Sequence, residues 1–216
     1  MTDVRPIVLL LHDGGRTAGQ WREFVPLLES RFRVVVADLP ANDDEALEQL
    51  ERLLDGARCG VIGHGAGGAL AQSLAVRGGV DAMVLLDAPR AEGVGDEDLA
   101  SFDFPVLLLW GEDDEVVPVA VAEELNDAIP TSTLGLLPGC GHDLTAEAAA
   151  TIAPMILEYL RARYLKESHA EAHGHDADHA HDGVVRIQLE RRPPWVDLEE
   201  DERDDWFVDE DKEAST

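Results

Sequence analysis

The sequence predicts an α/β fold, in which helices flank a doubly wound parallel sheet of about six strands. First, short runs of consecutive apolar residues recur along the chain, which is typical of strands covered on both faces. Second, segments with helical spacing alternate with these runs, so each strand connects to the next through a helix and the strands run parallel. Third, 216 residues with 45% hydrophobic side chains suffice for one such domain.

Strands and helices alternate along the chain, and capping residues mark two of the predicted helix starts. Asn42 with Glu45 three residues later begins one helix, and Thr17 with Gln20 fits a capping box. Pro154 is expected to bend the last helix or to start a second segment. Predicted strands cover 7–11, 33–37, 59–62, 83–87, 105–110 and 133–137, and predicted helices cover 17–30, 42–56, 66–76, 118–128 and 145–166.

A glycine-rich turn, Gly63-His64-Gly65-Ala66-Gly67, joins the third strand to the helix that follows it. A strand-to-helix turn this tight needs φ > 0 at its central residue and small residues two positions before and after. The residues alone also suit a glycine-rich turn without catalytic ancestry, or an anion-binding turn at a helix N-terminus. The anion-binding interpretation lacks both the P-loop Lys-Ser/Thr and a full G-x-G-x-x-G spacing.

This turn resembles the nucleophile elbow of the α/β-hydrolase superfamily, G-x-S-x-G, and two later stretches match that superfamily in the same order. In Gly111-Glu112-Asp113-Asp114 the resemblance implies that Asp114 is the triad acid, and in 138–143 it implies that His142 is the general base and acid. Taken singly, Asp114 also suits a solvated acidic turn before a helix, and His142 a surface loop. The resemblance covers roughly residues 5–165.

The resemblance also has gaps. Gly65 stands at the nucleophile position and has no side-chain atom that could form a covalent intermediate. At the end of the first strand, Asp13 stands where the superfamily usually has glycine, and the resemblance implies backbone oxyanion donors at Gly14 and Ala66; a plain Gly-Gly turn is the alternative. Residues 88–104 are too few for a cap domain, so we expect an open, solvated pocket for a small-molecule ligand.

The formal net charge of −28 makes nucleic acid and anionic membranes unfavourable partners. The acidity suits either adaptation to high salt or simple solubility. Cys59 and Cys140 are expected to be reduced residues in or near the core. The N-terminal residues lack the features of a signal peptide and no run is long enough to span a membrane, which predicts a cytoplasmic protein.

We divide the chain into a hydrolase-like domain (1–165), a His-rich linker (166–183) and an acidic tail (184–216). Residues 184–190 alternate apolar and polar side chains, as in an edge strand or a strand added to a partner's sheet. Trp195, Trp206 and Phe207 lie among carboxylates, which suits a disordered segment that folds on a protein partner. The alternative is that these aromatic side chains pack back on the domain.

The linker contains five of the eight histidines of the chain, interleaved with carboxylates: His169, His173, His175, His179 and His181. Imidazoles in this pattern bind Zn²⁺, Ni²⁺ or Cu²⁺, so zinc or nickel is the metal we expect there, and no cofactor is expected for the domain. A hydrophilic linker without function is the alternative.

Three hypotheses for function follow. The first, which we favour over the other two, is a hydrolase-fold protein without a nucleophile that acts as a non-hydrolytic binding or accessory subunit through its tail. The second is an enzyme that uses a His142–Asp114 dyad on a small ester or carbonyl substrate. The third is a metal-binding protein that uses the His-rich tract.

Deletion of residues 169–182 is expected to abolish Zn²⁺ or Ni²⁺ binding and to leave the domain folded, because the imidazole ligands lie in that tract. Equilibrium dialysis measures the binding, and far-UV circular dichroism measures the fold. Undiminished metal binding by the deletion variant would contradict the prediction.

Overall fold

A computed structural model describes residues 5–40, 42–170 and 184–186. Seven parallel strands form one sheet in the order β2-β1-β3-β4-β5-β6-β7. Six of the seven belong to the predicted αβ alternation, so the predicted fold class is confirmed. The strands are β1 (Ile7–Leu11), β2 (Arg33–Val36), β3 (Cys59–His64), β4 (Val80–Leu86), β5 (Val106–Gly111), β6 (Ser132–Leu137) and β7 (Val184–Arg186).

Helices connect successive strands and cover both faces of the sheet. Neighbouring residues of a strand face opposite sides, so each strand contributes to two buried clusters. Leu9 and Leu11 pack into one buried apolar cluster, whereas Val8 and Leu10 pack into the other. The helices are a 3-10 helix (Ala18–Trp21), α1 (Val25–Leu28), α2 (Asp43–Leu54), α3 (Ala66–Val76), α4 (Asp96–Ala100), α5 (Val119–Ala128), α6 (Leu144–Glu147) and α7 (Ala149–Ala170).

The helix predicted over 17–30 is instead a 3-10 helix followed by the short α1. Thr17 makes no side-chain capping hydrogen bond, so the predicted capping box there is wrong. Pro26 gives a physical reason for the break, because it has no N–H to donate to the carbonyl of Arg22 and its ring crowds that carbonyl. The other predicted cap is confirmed, since the Asn42 side chain accepts a hydrogen bond from the Glu45 N–H at 3.0 Å.

The C-terminal helix also differs from its predicted bounds. It divides at Ala148 into α6 and α7, and α7 continues to Ala170 with Pro154 inside it. Beyond it, Val184–Arg186 pairs with β6 of the same chain, and the rest of the segment predicted over 184–190 lies outside the described residues. Among the described residues, none of the helices has the length and apolarity needed to cross a membrane.

Both cysteines are buried and free, as predicted. Burial raises the pKa of the Cys59 thiol to about 12, so this side chain behaves as a small apolar core residue.

The close approach of β3 and α3 predicts an effect of Gly63→Ala. A Cβ at Gly63 would lie 2.5 Å from the Gly67 carbonyl oxygen and 2.5 Å from the Gly68 Cα, so backbone must shift. We expect a loss of about 1–3 kcal/mol in the free energy of unfolding, measured by urea titration. Gly79→Ala is the control, because the added Cβ would make only ordinary contacts at 3.5 Å. Equal stability of the two variants would contradict this account.

Candidate functional site

The turn between β3 and α3 has the backbone geometry that a nucleophile elbow requires. Gly65 has φ 53° and ψ −123°, a conformation that side chains rarely adopt. A Cβ at Gly67 would meet the His12 carbonyl oxygen at 2.6 Å, so only glycine permits this approach of helix and strand. The elbow is therefore intact as backbone and lacks only a side chain at its centre.

The carboxylate of Asp13 fills the space that a side chain at Gly65 would use. A Cβ built on Gly65 would collide with Asp13 Oδ1 and Cγ. Oδ1 accepts a hydrogen bond from the Ala66 N–H at 2.8 Å, at the N-terminus of α3, where free amides and the helix dipole attract negative charge. One of the two backbone donors expected to bind an oxyanion is therefore occupied by the protein's own carboxylate.

Asp114 and His142 form the expected pair. His142 Nδ1 lies 2.8 Å from Asp114 Oδ2, and the other oxygen of Asp114 accepts from the N–H groups of Val116 at 2.7 Å and Val117 at 2.9 Å. These contacts orient the ring so that Nε2 faces Asp13, whose Oδ2 lies 3.7 Å away. This distance is too long for a direct hydrogen bond.

Packing at the end of β5 brings the two loops of this pair together. A Cβ at Gly111 would collide with the carbonyl oxygens of Cys140 and Gly141, so glycine lets the His142 loop approach β5. The buried Trp110 indole donates to the Val117 carbonyl at 2.8 Å, which fixes the turn that contains Asp114. The positions of the acid and the base thus depend on core residues of the same strand.

The buried His64, at the end of β3, links three parts of the site. Its Nε2 lies 2.7 Å from the His142 carbonyl oxygen, and its Nδ1 lies 2.7 Å from the Gln20 side-chain amide. Gln20 Oε1 in turn accepts from the Asp13 N–H at 3.3 Å. Burial lowers the pKa of His64, and a neutral ring with the proton on Nε2 satisfies both bonds. His64 therefore positions the Asp13 and His142 loops together.

Asp87, at the end of β4, is a buried carboxyl beneath this network. Burial raises its pKa to about 8, so the group is largely protonated at neutral pH. Its Oδ1 accepts from the Gly111 N–H at 2.9 Å, whereas Oδ2 has no hydrogen-bond partner among the described residues and lies 3.8 Å from His64 Nε2. With both Asp87 and His64 neutral, the floor of the site carries little charge.

An ion pair and a hydrogen bond hold the loop after His142 in place. Arg16 lies 2.6 Å from Asp143, and the Thr145 hydroxyl donates to the same carboxylate at 2.8 Å. Burial alone would raise the pKa of Asp143, but these two partners outweigh it and the pKa is lowered. Arg16 thereby joins the Asp13 loop to the His142 loop across the mouth of the site.

An open pocket of about 350 Å³ adjoins the Asp13 carboxylate, in agreement with the expected open site. His12, Asp13, Gly14 and Ala66 line one side, and apolar side chains form much of the rest, namely Leu39, Pro40, Ala46 and Leu70. Within the described part of the chain no cap domain covers it, since residues 88–104 contain only the short α4 and its flanking turns.

The structure brings together Gly14, Gly65, Ala66, Asp114 and His142; a Cβ on Gly14 would lie 3.8 Å from that of Ala66. Of the predicted metal ligands, four lie outside the described residues, namely His173, His175, His179 and His181. Only the backbone of His169, in α7, lies within them. In the described part of the chain, no group of three metal-ligating side chains is arranged to hold an ion.

Sequence reasoning gave no role in the functional site to Asp13, Gln20, His64 or Asp87. For Asp13 a signal was available, because a carboxylate beside an empty nucleophile position is a paired departure from the superfamily pattern. The contacts of the other three are long-range, so no local pattern indicates them.

Comparisons with known proteins agree with the fold. The alpha/beta hydrolase family model matches residues 8–106, and the TAP-like protein model matches residues 87–172. The meta-cleavage product hydrolase CumD of Pseudomonas fluorescens superposes with a TM-score of 0.66 at 19% identity, covering 74% of this chain and 91% of that one. The chain belongs to the α/β-hydrolase superfamily.

Two curated relatives match parts of the chain. The magnesium-chelatase 30 kDa subunit of Rhodobacter capsulatus is 35% identical over 119 residues, which are 47% of this chain and 40% of that protein. The uncharacterized hydrolase YugF of Bacillus subtilis is 32% identical over 65 residues, 30% of this chain and 24% of YugF. The chain thus spans well under half the length of both relatives.

The raised pKa of Asp87 predicts a pH-dependent stability that Asp87→Asn should remove. Between about pH 4 and pH 8 the folded state holds a proton that the unfolded chain has released, so the free energy of unfolding falls as pH rises. The wild type should lose up to about 1.4 kcal/mol per pH unit relative to Asp87→Asn. Urea titrations from pH 5 to 8.5 measure this difference.

Asp143→Asn is the control for that experiment. The pKa of Asp143 is lowered, so its contribution is already complete above its ordinary value of 3.8 and is lost only as pH falls below it. The difference between wild type and Asp143→Asn should stay constant over the same range. Parallel curves for wild type and Asp87→Asn would refute the assignment of a raised pKa to Asp87.

Proposed function

We propose that the protein is an enzyme of the α/β-hydrolase fold that works without a serine, and that His142, oriented by Asp114, is its base. The carboxylate of Asp13 stands in the place of the missing nucleophile, and the pocket beside it receives a small substrate. The family match supports hydrolytic chemistry at the level of the superfamily. The absence of a hydroxyl at Gly65 excludes a serine acyl-enzyme.

One observation carries the proposal: Asp13 occupies the space at Gly65 while the base and its acid keep hydrogen-bonding geometry. An elbow without a side chain would leave a void or a water beside His142. Here an ionisable group fills that space, bonded to the Ala66 N–H and facing His142 Nε2. The base His142 and an ionisable carboxylate therefore lie together at the position where hydrolases of this fold carry out their reaction.

A second candidate is a non-hydrolytic accessory subunit with a protein partner for residues 184–216. The observation that favours it is the 35% identity to a protein named as a magnesium-chelatase subunit. In this case the Asp13 carboxylate would serve only to fill the space at Gly65. Co-purification of the full chain and of a chain ending at residue 186 from the source cells distinguishes the tail from the domain as the partner-binding part.

The proposal predicts how the protein reacts with a fluorophosphonate that labels activated serines. Wild type should not react, because Gly65 offers no hydroxyl. Gly65→Ser should react slowly, because the new side chain collides with the Asp13 carboxylate. Asp13→Gly/Gly65→Ser should react at least about tenfold faster than Gly65→Ser, since it frees both the space and the Ala66 N–H. Intact-mass spectrometry follows the labelling.

Asp13→Gly alone controls for labelling elsewhere and should remain unlabelled. The triple variant that adds His142→Ala should lose the labelling of the double variant, because the serine then has no base. If the double variant is folded by circular dichroism and still unreactive, the His142–Asp114 pair is not a working base, and the accessory role is favoured.

A further inference from the structure

We propose that Asp87 is a positioning residue for the base His142, that it acts through His64, and that it does so only in its protonated form. When Asp87 loses its proton, its carboxylate draws the His64 N–H away from the His142 carbonyl. The loop that contains the base then loses its hydrogen bond to β3. The effect of this exchange on reactivity rests on the proposed function, in which His142 is the base.

The N–H group on Nε2 of His64 has two acceptors within reach. Nε2 lies 2.7 Å from the His142 carbonyl oxygen and 3.8 Å from Oδ2 of Asp87. The side chains of His64 and Asp87 are both fully buried, and Oδ2 has no hydrogen-bond partner among the described residues. The ring therefore lies between a carbonyl that it contacts and a carboxyl oxygen that lacks a donor.

The charge of Asp87 decides between these two acceptors. A hydrogen bond to an ionised carboxylate is roughly twice as strong as one between neutral groups. A buried carboxylate oxygen without a donor is also costly, whereas a protonated carboxyl carries its own hydrogen. Closing the distance of 3.8 Å to an ordinary hydrogen bond of about 2.8 Å needs a ring movement of only about 1 Å.

The ring and the His142 loop can move, whereas Asp87 is held in place. The Asp87 N–H donates to the Leu109 carbonyl at 3.1 Å, and Oδ1 accepts from the Gly111 N–H at 2.9 Å. Asp87 has φ 47°, a conformation that a non-glycine residue keeps only where its surroundings determine it. His142, by contrast, lies in a loop, and its side chain is 18% exposed.

The groups that surround Asp87 keep it protonated near neutral pH. Burial contributes most, and the carboxylates of Asp114, after β5, and Glu147, in α6, act in the same direction. The N–H groups of Gly111 and Leu144 favour the ionised form but are outweighed, so the pKa of Asp87 rises to about 8. The hydrogen bond from His64 to the His142 carbonyl is therefore kept below about pH 8 and lost as pH rises through that value.

The neighbouring buried groups stay neutral over this range. Burial, with Glu147 and Asp87, raises the pKa of the Cys140 thiol in the loop after β6. Burial also has the largest effect on His64 and lowers its pKa, against the carboxylates of Asp13 and Asp143 and in the same direction as His142. Of these three buried groups, Asp87 is thus the one whose charge changes near pH 8.

The exchange has an effect on reactivity opposite to that of simple deprotonation of the base. Asp114 would still hold Nδ1 of His142, but the backbone of the loop would no longer be bound to His64. A base that loses its fixed position transfers protons less effectively. Reactivity should therefore decline above about pH 8, where an isolated imidazole is already fully deprotonated and keeps its activity.

The test is an NMR titration of the full-length protein, labelled with ¹³C and ¹⁵N, from about pH 6 to about pH 9.5. The ring nitrogens of His64 and the carbonyl carbon of His142 should shift together with a midpoint near pH 8. In Asp87→Asn, which keeps an oxygen for the Gly111 N–H but has no charge, neither shift should occur. Asp103→Asn, which changes an exposed carboxylate before β5, should titrate as wild type does.

Three results would overturn the inference. The first is constant shifts at both groups in wild type that stays folded over the range. The second is a titration of the His64 ring without any change at the His142 carbonyl. The third is a midpoint near pH 8 that persists in folded Asp87→Asn. The first two need only wild type, so they decide the question even if Asp87→Asn does not fold.

A second measurement follows the base itself, through fluorophosphonate labelling of Asp13→Gly/Gly65→Ser. Its labelling rate should fall at least about threefold from about pH 7.5 to about pH 9.5, the effect of losing one neutral hydrogen bond. With Asp87→Asn added, the rate should not fall, and equal profiles would overturn the positioning role. A folded double variant that is unreactive at every pH overturns the proposed function, and the NMR titration still decides this inference.

Discussion

The site depends on one hydrogen bond, from the Ala66 N–H to the carboxylate of Asp13. The elbow of this fold exposes a backbone amide at the start of α3, and an amide of this kind needs an acceptor. In the absence of a side chain at Gly65, the neighbouring loop supplies that acceptor. The two departures from the superfamily pattern, Asp13 and Gly65, therefore compensate each other sterically, because neither the usual side chain nor a Cβ fits while Asp13 is present.

The buried polar groups of the site hold the Asp13 loop and the His142 loop in fixed relative positions. His64 contacts the His142 backbone and, through Gln20, the Asp13 backbone, so one buried ring joins three segments that are distant in sequence. Asp87 beneath it stays protonated because burial raises its pKa. Because Asp87 is neutral, the hydrogen bonds of the His64 ring, and not the charge of a buried carboxylate, determine the positions of these loops.

The sequence predicted the sheet well because its signals are local. Apolar runs and glycine positions report directly on strands and on the elbow, and the order of Asp114 and His142 after their strands indicated that they meet at one edge. Prediction from the sequence failed where contacts between residues distant in the chain determine the structure. The contact between Asp13 and the space at Gly65 joins residues 52 positions apart. The division of the helix predicted over 17–30 has a local cause, because Pro26 interrupts a segment that periodicity alone predicts as continuous. Only the fold shows that a carboxylate from one loop enters the gap left by another.

This arrangement also bears on how a hydrolase fold loses or changes its chemistry. Replacement of serine by glycine relieves backbone strain at the elbow but exposes an unfilled amide and a base without a partner. A carboxylate that enters the space satisfies the amide and presents the base with a new ionisable group. The same contacts place a carboxylate, a backbone donor and a base in one site. The contacts that fill the space at Gly65 are therefore the same contacts on which the proposed function depends.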